Sequence, residues 1–462
     1  MVIANGLSCA LKRKATMKVT FIRPNIFDVH TLASMEVLCF AILKGLTPAD
    51  IETEFYDERL GPIPYDSPTD LVAITIETFT ARRAYQIALE YKKRGVRVVV
   101  GGFHPTFMPE EASIFADSVV VGDAEGIWPV LLEDFRKGRL QPLYRQNNYP
   151  SMVGMAVDHS IYKGKRYLPL TLVQYSRGCK FNCSFCSIHS FYGTSMRQRP
   201  VGELLAEIKR RNARQLVFVD DNIYINPKNA KELFTALIPL KVKWTCQVSI
   251  DVVKDPEVLE LMARSGCNSA LIGFESLNED SLRMMNKKWN TKWFDYGTAI
   301  RRLQDAGIMI YGTFVFGYDG DTKDVFDRTV EFAIDNKFLI AGFNPLMPTP
   351  GSKMYDDLVQ EGRMIHEKWW IDPAYRYGDA VFQPKSMTAD EFREGCYRAR
   401  STFSTYSSIF RRLPEFKTNL RSPYRAYIHL FSNYMLRREI HAKQGMPLGA
   451  VHADDPWELL QA

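Results

Sequence analysis

Ser176-Arg-Gly-Cys179-Lys-Phe-Asn-Cys183-Ser-Phe-Cys186-Ser-Ile-His189 is the stretch on which the reading of this chain turns. Its three cysteines stand in C-x3-C-x2-C spacing. They follow the strand-like run Leu170–Tyr175, so they lie at the C-terminal end of a strand. Active sites of β/α barrels lie at that end. A cubane iron–sulfur cluster takes four ligands. Three thiolates therefore leave one iron open for chemistry. With His189 the same cysteines also make a Cys3His set, which suits tetrahedral zinc. The spacing alone leaves both readings standing.

Downstream, Leu216–Asp220, Lys243–Ile250, Ala270–Glu275, Ile308–Gly317 and Ala341–Pro345 read as further strands. Helical stretches such as Val201–Ala213 and Pro256–Ser265 separate them. Six βα units are fewer than the eight of a closed barrel. An open, partial (β/α)6 barrel is therefore expected over residues 168–365. A zinc knuckle needs no such barrel behind it, which weighs against zinc. Upstream, Val19–Arg23, Glu52–Asp57, Leu71–Ile76, Val96–Val100 and Ser118–Val121 are short apolar or β-branched runs. The helical pattern Ala81–Lys93 ends at Gly95, a fitting C-cap. Parallel neighbours need crossover connections, so these runs predict an α/β, doubly wound (flavodoxin-like) parallel sheet over residues 17–137. Residues 138–167 are polar and read as a linker, and 366–462 as a C-terminal helical extension.

The 462 residues suffice for two or three domains. A 46% hydrophobic and 24% charged composition excludes wholesale disorder, collagen and coiled coil. The net charge of +6 is too small to imply a nucleic-acid partner. No apolar run approaches the roughly 18–20 residues of a membrane span. The longest candidate, Ala426–Leu436, contains His429, Ser432 and Asn433. Met1–Lys18 lacks signal-peptide order, and Met17 is a candidate start. A cytoplasmic location with mostly reduced cysteines is expected. Cys9, Cys39, Cys246, Cys267 and Cys396 are scattered, which argues against a second cluster.

On the cysteine motif, the chain resembles the radical S-adenosylmethionine (radical SAM) superfamily. The resemblance implies that Cys179, Cys183 and Cys186 ligate a [4Fe–4S] cluster whose open iron chelates SAM. It implies that Phe185 lies by the adenine. Polar residues at the strand ends would bind the SAM ammonium, carboxylate and ribose: Asp220 and Asp221, Gln247 and Ser249 on one face by period two, and Glu275 and Ser276. Each also has a plain reading as a helix cap or turn.

With the N-terminal sheet included, the chain resembles the cobalamin-dependent (class B) radical SAM group, B12-binding-domain-containing proteins. Gly101-Gly-Phe-His-Pro-Thr-Phe-Met-Pro-Glu-Glu111, Gly122-Asp-Ala-Glu-Gly126, Phe218-Val-Asp-Asp-Asn222, Ile272-Gly-Phe-Glu-Ser276 and Lys368-Trp-Trp370 carry that resemblance. Gly101 and Gly102 close a strand, where glycine lets backbone approach a ligand and where doubly wound sheets bind cofactors. Thr75 and Thr78 are expected on the cobalamin nucleotide tail, with His104 a further polar contact. No D-x-H-x-x-G occurs; the region reads Tyr56-Asp-Glu-Arg-Leu-Gly61, so the lower axial histidine is missing.

The implied reaction is radical methylation. A 5′-deoxyadenosyl radical takes hydrogen from an unactivated carbon, and methylcobalamin delivers the methyl group. The alternatives are cyclisation, rearrangement or transfer of another SAM fragment beside a cobalamin-free N-terminal domain. A more distant one is a zinc-stabilised binding protein. Expected partners are a small, apolar substrate and a reductant such as flavodoxin or ferredoxin, without nucleic acid. Residues 390–440 alternate aromatic and basic side chains. Plain packing on the barrel is expected for them, ahead of covering an apolar substrate pocket or touching a membrane surface.

Overall fold

The computed structural model describes residues 16–29, 34–292, 295–451 and 453–461. Cys9 and the rest of residues 1–15, on which the start-site expectation turns, lie outside them.

The first sheet comprises β1 (Lys18–Arg23), β2 (Glu52–Asp57), β3 (Leu71–Thr75), β4 (Arg97–Gly101), β5 (Ser118–Val121) and β6 (Leu143–Arg145). They lie in the order β2-β1-β3-β4-β5-β6, and every pairing is parallel. The central runs Leu-Val-Ala-Ile of β3 and Ser-Val-Val-Val of β5 are buried throughout. Near-continuous apolar strands are what a parallel sheet covered on both faces demands. Helices Leu38–Leu46 and Trp128–Arg136 cover one face, where Phe21 packs between Phe40 and Trp128. Helices Ala81–Lys93 and Pro109–Phe115 cover the other, with Tyr85 stacked on Phe115 at 4.2 Å. The strand order reverses between β1 and β3, and the crevice of a doubly wound sheet opens at that point.

Residues 138–167, read from sequence as a linker, contain β6 and a short 3-10 turn, His159–Tyr162. β6 is a three-residue edge strand with two exposed residues, so it carries no apolar run to betray it.

The second sheet is the open half-barrel. It contains β7 (Thr171–Val173), then β10 (Gln215–Phe218), β11 (Lys243–Gln247), β12 (Cys267–Glu275), β13 (Met309–Phe316) and β14 (Ile340–Pro345), paired in parallel in that order. Between β7 and β10, the two-residue strands β8 (Ser176–Arg177) and β9 (Arg197–Gln198) pair antiparallel and frame the cysteine loop.

The extension from 366 is not helical at its start. Helix resumes only at Ala389–Phe403, which packs on β14 and on helix Val325–Asp335. Before it, Trp369 and Trp370 are fully buried, and Trp370 Nε1 donates to Glu111 of the first unit at 2.9 Å. The chain end returns to the first unit through a Phe27–Gly449 bridge. Among the described residues, no helix is long and apolar enough to cross a membrane.

His159 clasps the two units. Its Nδ1 lies 3.2 Å from Glu36 and its Nε2 3.2 Å from Glu207 of helix Val201–Arg210. Burial alone would lower its pKa, but the bonds to Glu207 and Glu36 hold it above the ordinary histidine value. A raised folded pKa makes the clasp's contribution complete below about pH 6.5 and lost as pH rises through the folded value. Urea unfolding as a function of pH should show this loss. His159→Gln should lower stability by ~1–3 kcal/mol on the acid side and flatten the dependence.

Candidate active site: a cysteine loop beside a cleft between the two sheets

The root of the cysteine loop is tied to the end of β10. The carboxylate of Asp220 accepts from the backbone N–H groups of Tyr175 and Ser176, and from Ser176 Oγ at 2.6 Å. Asp221 Oδ2 accepts the Gly178 N–H at 2.8 Å. Gly178 sits at φ +93°, and a Cβ there would lie 2.1 Å from the Ser195 carbonyl oxygen. Glycine is therefore required where the chain turns into the motif. Asp220 was expected on SAM. Both its oxygens are instead spent on the loop root, deep enough that burial pushes its carboxyl up to about 7. Asp220 is a positioning residue.

Cys179, Cys183 and Cys186 follow, each partly exposed. Burial raises all three thiols, Cys183 to about 12 and Cys186 to about 11. A desolvated thiol holds its proton, and a metal that binds the thiolate displaces that proton to solvent. Three soft donors in one loop suit an iron–sulfur cluster. Among the described residues, no three His, Cys, Asp or Glu side chains close to the geometry of a single metal ion.

Asn222, expected with Asp220 and Asp221 among the polar residues after that strand, lies at the loop, whereas Lys287 and Trp289 escaped the sequence reading of the site. Asn222 Nδ2 donates to Ser249 Oγ at 2.9 Å and stands 4.0 Å from Cys179 Sγ. Lys287 is buried in an ion pair with Glu275, Nζ to Oε1 2.5 Å. Burial opposes its charge, and Glu275 and the cysteines more than restore it, so its pKa is raised. Glu275 ends β12 in the left-handed region at φ +64°. Trp289 stacks flat on Phe181 of the loop at 3.5 Å and lies beside the Lys287 ammonium. Lys287 and Trp289 come from a loop with no period or motif of its own, so tertiary folding alone brings them to the cysteines.

The remaining expected residues separate. Ser249 and Phe185 lie at the loop, and Gln247 is exposed at the end of β11. Ser276 is buried and accepts the Asn278 N–H at 3.0 Å, so it serves a turn. A cavity of about 490 Å³ opens beside Cys183 and Cys186, walled by Tyr318, Leu346 and Met354.

A second cavity, of about 530 Å³, lies at the crevice of the first sheet, against the strand ends of the half-barrel at Gln174, Arg177 and Val219. Thr75, Gly101 and Gly102 line it with Arg23, Cys39 and Arg59. Gly102 has φ +110°, and a Cβ there would stand 2.7 Å from the Ile76 carbonyl oxygen. Arg23 Nε is buried without a partner, an orphan donor that suits a polar ligand in this space. Arg177, Asp123 and Glu125 form the wall shared with the loop root. Arg177 pairs with Asp123 at 3.1 Å and Glu125 at 2.6 Å, and Arg197 pairs with Asp123 at 2.8 Å.

Two expectations for this cavity are corrected. His104 is fully buried on the far side, its Nε2 3.1 Å from Glu111, because Phe103–Phe107 forms a helical turn that aims it into the core. Thr78 lies in a neighbouring cleft of about 360 Å³ with Phe79, Phe103, Phe107, Ile188 and Pro350. That cleft shares Glu77 and Phe103 with the second cavity and reaches Ser187, next to Cys186.

Four similarities bear on this arrangement. The Radical SAM superfamily model matches residues 173–333. The bacteriochlorophyllide d C-12(1)-methyltransferase of Chlorobaculum tepidum is 33% identical over 434 residues, 89% of this chain and 94% of that protein. The bacteriochlorophyllide d C-8(2)-methyltransferase of the same organism is 31% identical, over 76% of this chain and 83% of that one. Among solved structures, the radical S-adenosylmethionine methyltransferase TsrM of Kitasatospora setae, with cobalamin and a [4Fe–4S] cluster bound, shares the fold. It has a TM-score of 0.63 at 15% identity, over 93% of this chain and 99% of that one.

Cys183→Ala should reduce iron and labile sulfide from about four per chain to below about one after anaerobic reconstitution. The secondary structure, read by circular dichroism, should be unchanged. Lys287→Met leaves the Glu275 carboxylate buried and unpaired, so urea unfolding should show a loss of ~3–5 kcal/mol. Lys287→Met with Glu275→Gln should recover most of that loss.

Proposed function

The chain belongs to the family of the bacteriochlorophyllide d methyltransferases, and from that premise we propose that it is a cobalamin-dependent radical SAM enzyme that methylates an unactivated carbon of a flat, largely apolar ring substrate of the bacteriochlorophyllide class. The observation that carries the reading is the continuity of the cleft. The Phe79, Phe103 and Phe107 rings face Ile188 and Pro350, between the cavity at the crevice of the first sheet and the cysteine loop. An apolar cleft lined by aromatic faces suits a planar conjugated ligand. The curated relatives named above, which act on bacteriochlorophyllide d, supply the substrate class.

Cys179, Cys183 and Cys186 would hold the cluster. The Glu275–Lys287 pair, Asn222 and Ser249 would meet the charged and hydroxyl groups of SAM, with Gln247 and Phe185 at the margin. Thr75, Gly101, Gly102 and Arg23 would hold cobalamin, with no histidine among the described lining residues. When bound, these groups supply a hydrogen-abstracting 5′-deoxyadenosyl radical and a transferable methyl group. The protein contributes position and exclusion of water. Asp220 and Asp221 fix the loop root, and Gly178 permits the turn. The stacked Phe181 and Trp289 rings shield the buried Lys287 ammonium, which orients an anionic group without moving a proton. A one-electron reductant such as a flavodoxin or ferredoxin completes the system.

The test uses holoenzyme made with cobalamin supplied and purified without oxygen. Cobalamin should approach one per chain, and Arg23→Ala should lower that content while leaving iron unchanged. Incubation with SAM, reductant and a bacteriochlorophyllide should give a product heavier by one methylene unit, and none with Cys186→Ala. A product with a new ring and no mass gain would point to cyclisation instead.

A further inference from the structure

The helix Pro423–Lys443 is inside out. An ordinary surface helix turns its apolar stripe to the core and its polar stripe to water. Here the protein-facing stripe is Arg425, His429 and Asn433, spaced four residues apart and all buried. Arg425 donates to the Gly307 carbonyl. His429 Nε2 lies 3.1 Å from the Ile409 carbonyl oxygen. Asn433 donates to the Leu339 carbonyl at 2.9 Å and accepts from Arg412 at 2.8 Å. These contacts fix the helix rotation, so the outward face is set by the fold. That face carries Tyr424, Tyr427, Leu430, Phe431 and Tyr434, all exposed, with Tyr427 at 59%. The Tyr427 and Phe431 rings stack on each other at 5.6 Å, toward solvent. In the preceding loop, Phe416 is 76% exposed.

Charge is concentrated in the same place. Residues 409–443 hold eight Lys or Arg against Glu415 and Glu439, a formal balance of +6. Arg412 and Arg425 are buried, and Arg411 and Lys417 pair with Glu331, Asp335 and Asp305, with Arg421, Arg437 and Arg438 the cations beside the outward face. The whole chain also carries +6, so the remainder is neutral. Arg437 and Arg438 lie over the rings of Tyr406 and Tyr434. Aromatic rings with hydroxyl tips beside arginines match the boundary between lipid headgroups and acyl chains. Anionic headgroups attract such a basic cluster.

We propose that the outward face of helix Pro423–Lys443 docks the enzyme peripherally on an anionic lipid bilayer. Tyr424 meets Gln215 at the start of β10 and Asn268 near the start of β12. The helix therefore lies at the N-terminal end of the half-barrel, opposite the cysteine loop. Docking there leaves the cleft open on the side away from the lipid.

The experiment is sedimentation of the full chain, cluster loaded and anaerobic, with two kinds of vesicle. One is phosphatidylcholine alone, and the other includes about 30 mol % phosphatidylglycerol. Partitioning onto the anionic vesicles should be at least ~10-fold greater at about 0.15 M salt and should weaken at higher salt. Tyr427→Ser with Phe431→Ser should lower it ~10-fold, and Arg421→Glu with Arg438→Glu likewise, with iron content unchanged as the folding control. Equal binding to both vesicles, or binding insensitive to these substitutions, overturns the proposal. A dimer that Tyr427→Ser with Phe431→Ser dissolves, without vesicle binding, assigns the face to a second copy and overturns it too.

Discussion

The carboxylates at the end of β10 are the constraint on which the site depends. A loop carrying three thiols has no regular structure to hold it. Asp220 and Asp221 supply that hold by accepting from the backbone of Tyr175, Ser176 and Gly178. Hydrogen bonds from backbone to a buried carboxylate are among the stronger neutral-to-charged contacts, and an unmet one is costly. The position of the cysteines is therefore inherited from the sheet, and the sheet also places Asn222, Ser249 and Glu275.

The second constraint is the fixed relation between the two sheets. Arg177, just ahead of Gly178, pairs with Asp123 and Glu125 of the first unit. His159 bridges Glu36 and Glu207, and Trp370 bonds Glu111 from the far end of the chain. These contacts close the cleft from several sides, so the cavity at the first sheet and the cysteine loop keep one spacing. Two reactive groups can act on one substrate only if that spacing is held, and a misplacement of about 1 Å is costly to rate.

Much of this was legible in the sequence, for physical reasons. Parallel strands covered on both faces read as unbroken apolar runs, so Leu71–Thr75 and Ser118–Val121 stood out. The cysteine spacing narrowed the chemistry to an iron–sulfur cluster or zinc, the strands behind it weighed for the cluster, and Gly102 marked a close approach of backbone. What stayed hidden depends on tertiary structure. Leu143–Arg145 is a strand only because β5 offers an edge. Lys287 reaches Glu275 through a loop without periodicity. Asp220 was misread because a carboxylate at a strand end looks the same whether it meets a ligand or its own backbone. His104 was misread because Phe103–Phe107 turns helical and points it inward. The tail's Trp369 and Trp370 were visible, but their burial against the first unit was not.

The central claim is that one cleft holds an iron–sulfur cluster and a cobalamin on opposite walls. Anomalous X-ray diffraction from crystals of the holoenzyme, collected at the iron and cobalt edges, tests it most directly. The account predicts iron at the Sγ atoms of Cys179, Cys183 and Cys186, and cobalt in the cavity lined by Thr75 and Gly102. A zinc signal at the cysteines, or iron there with no cobalt in that cavity, would contradict it.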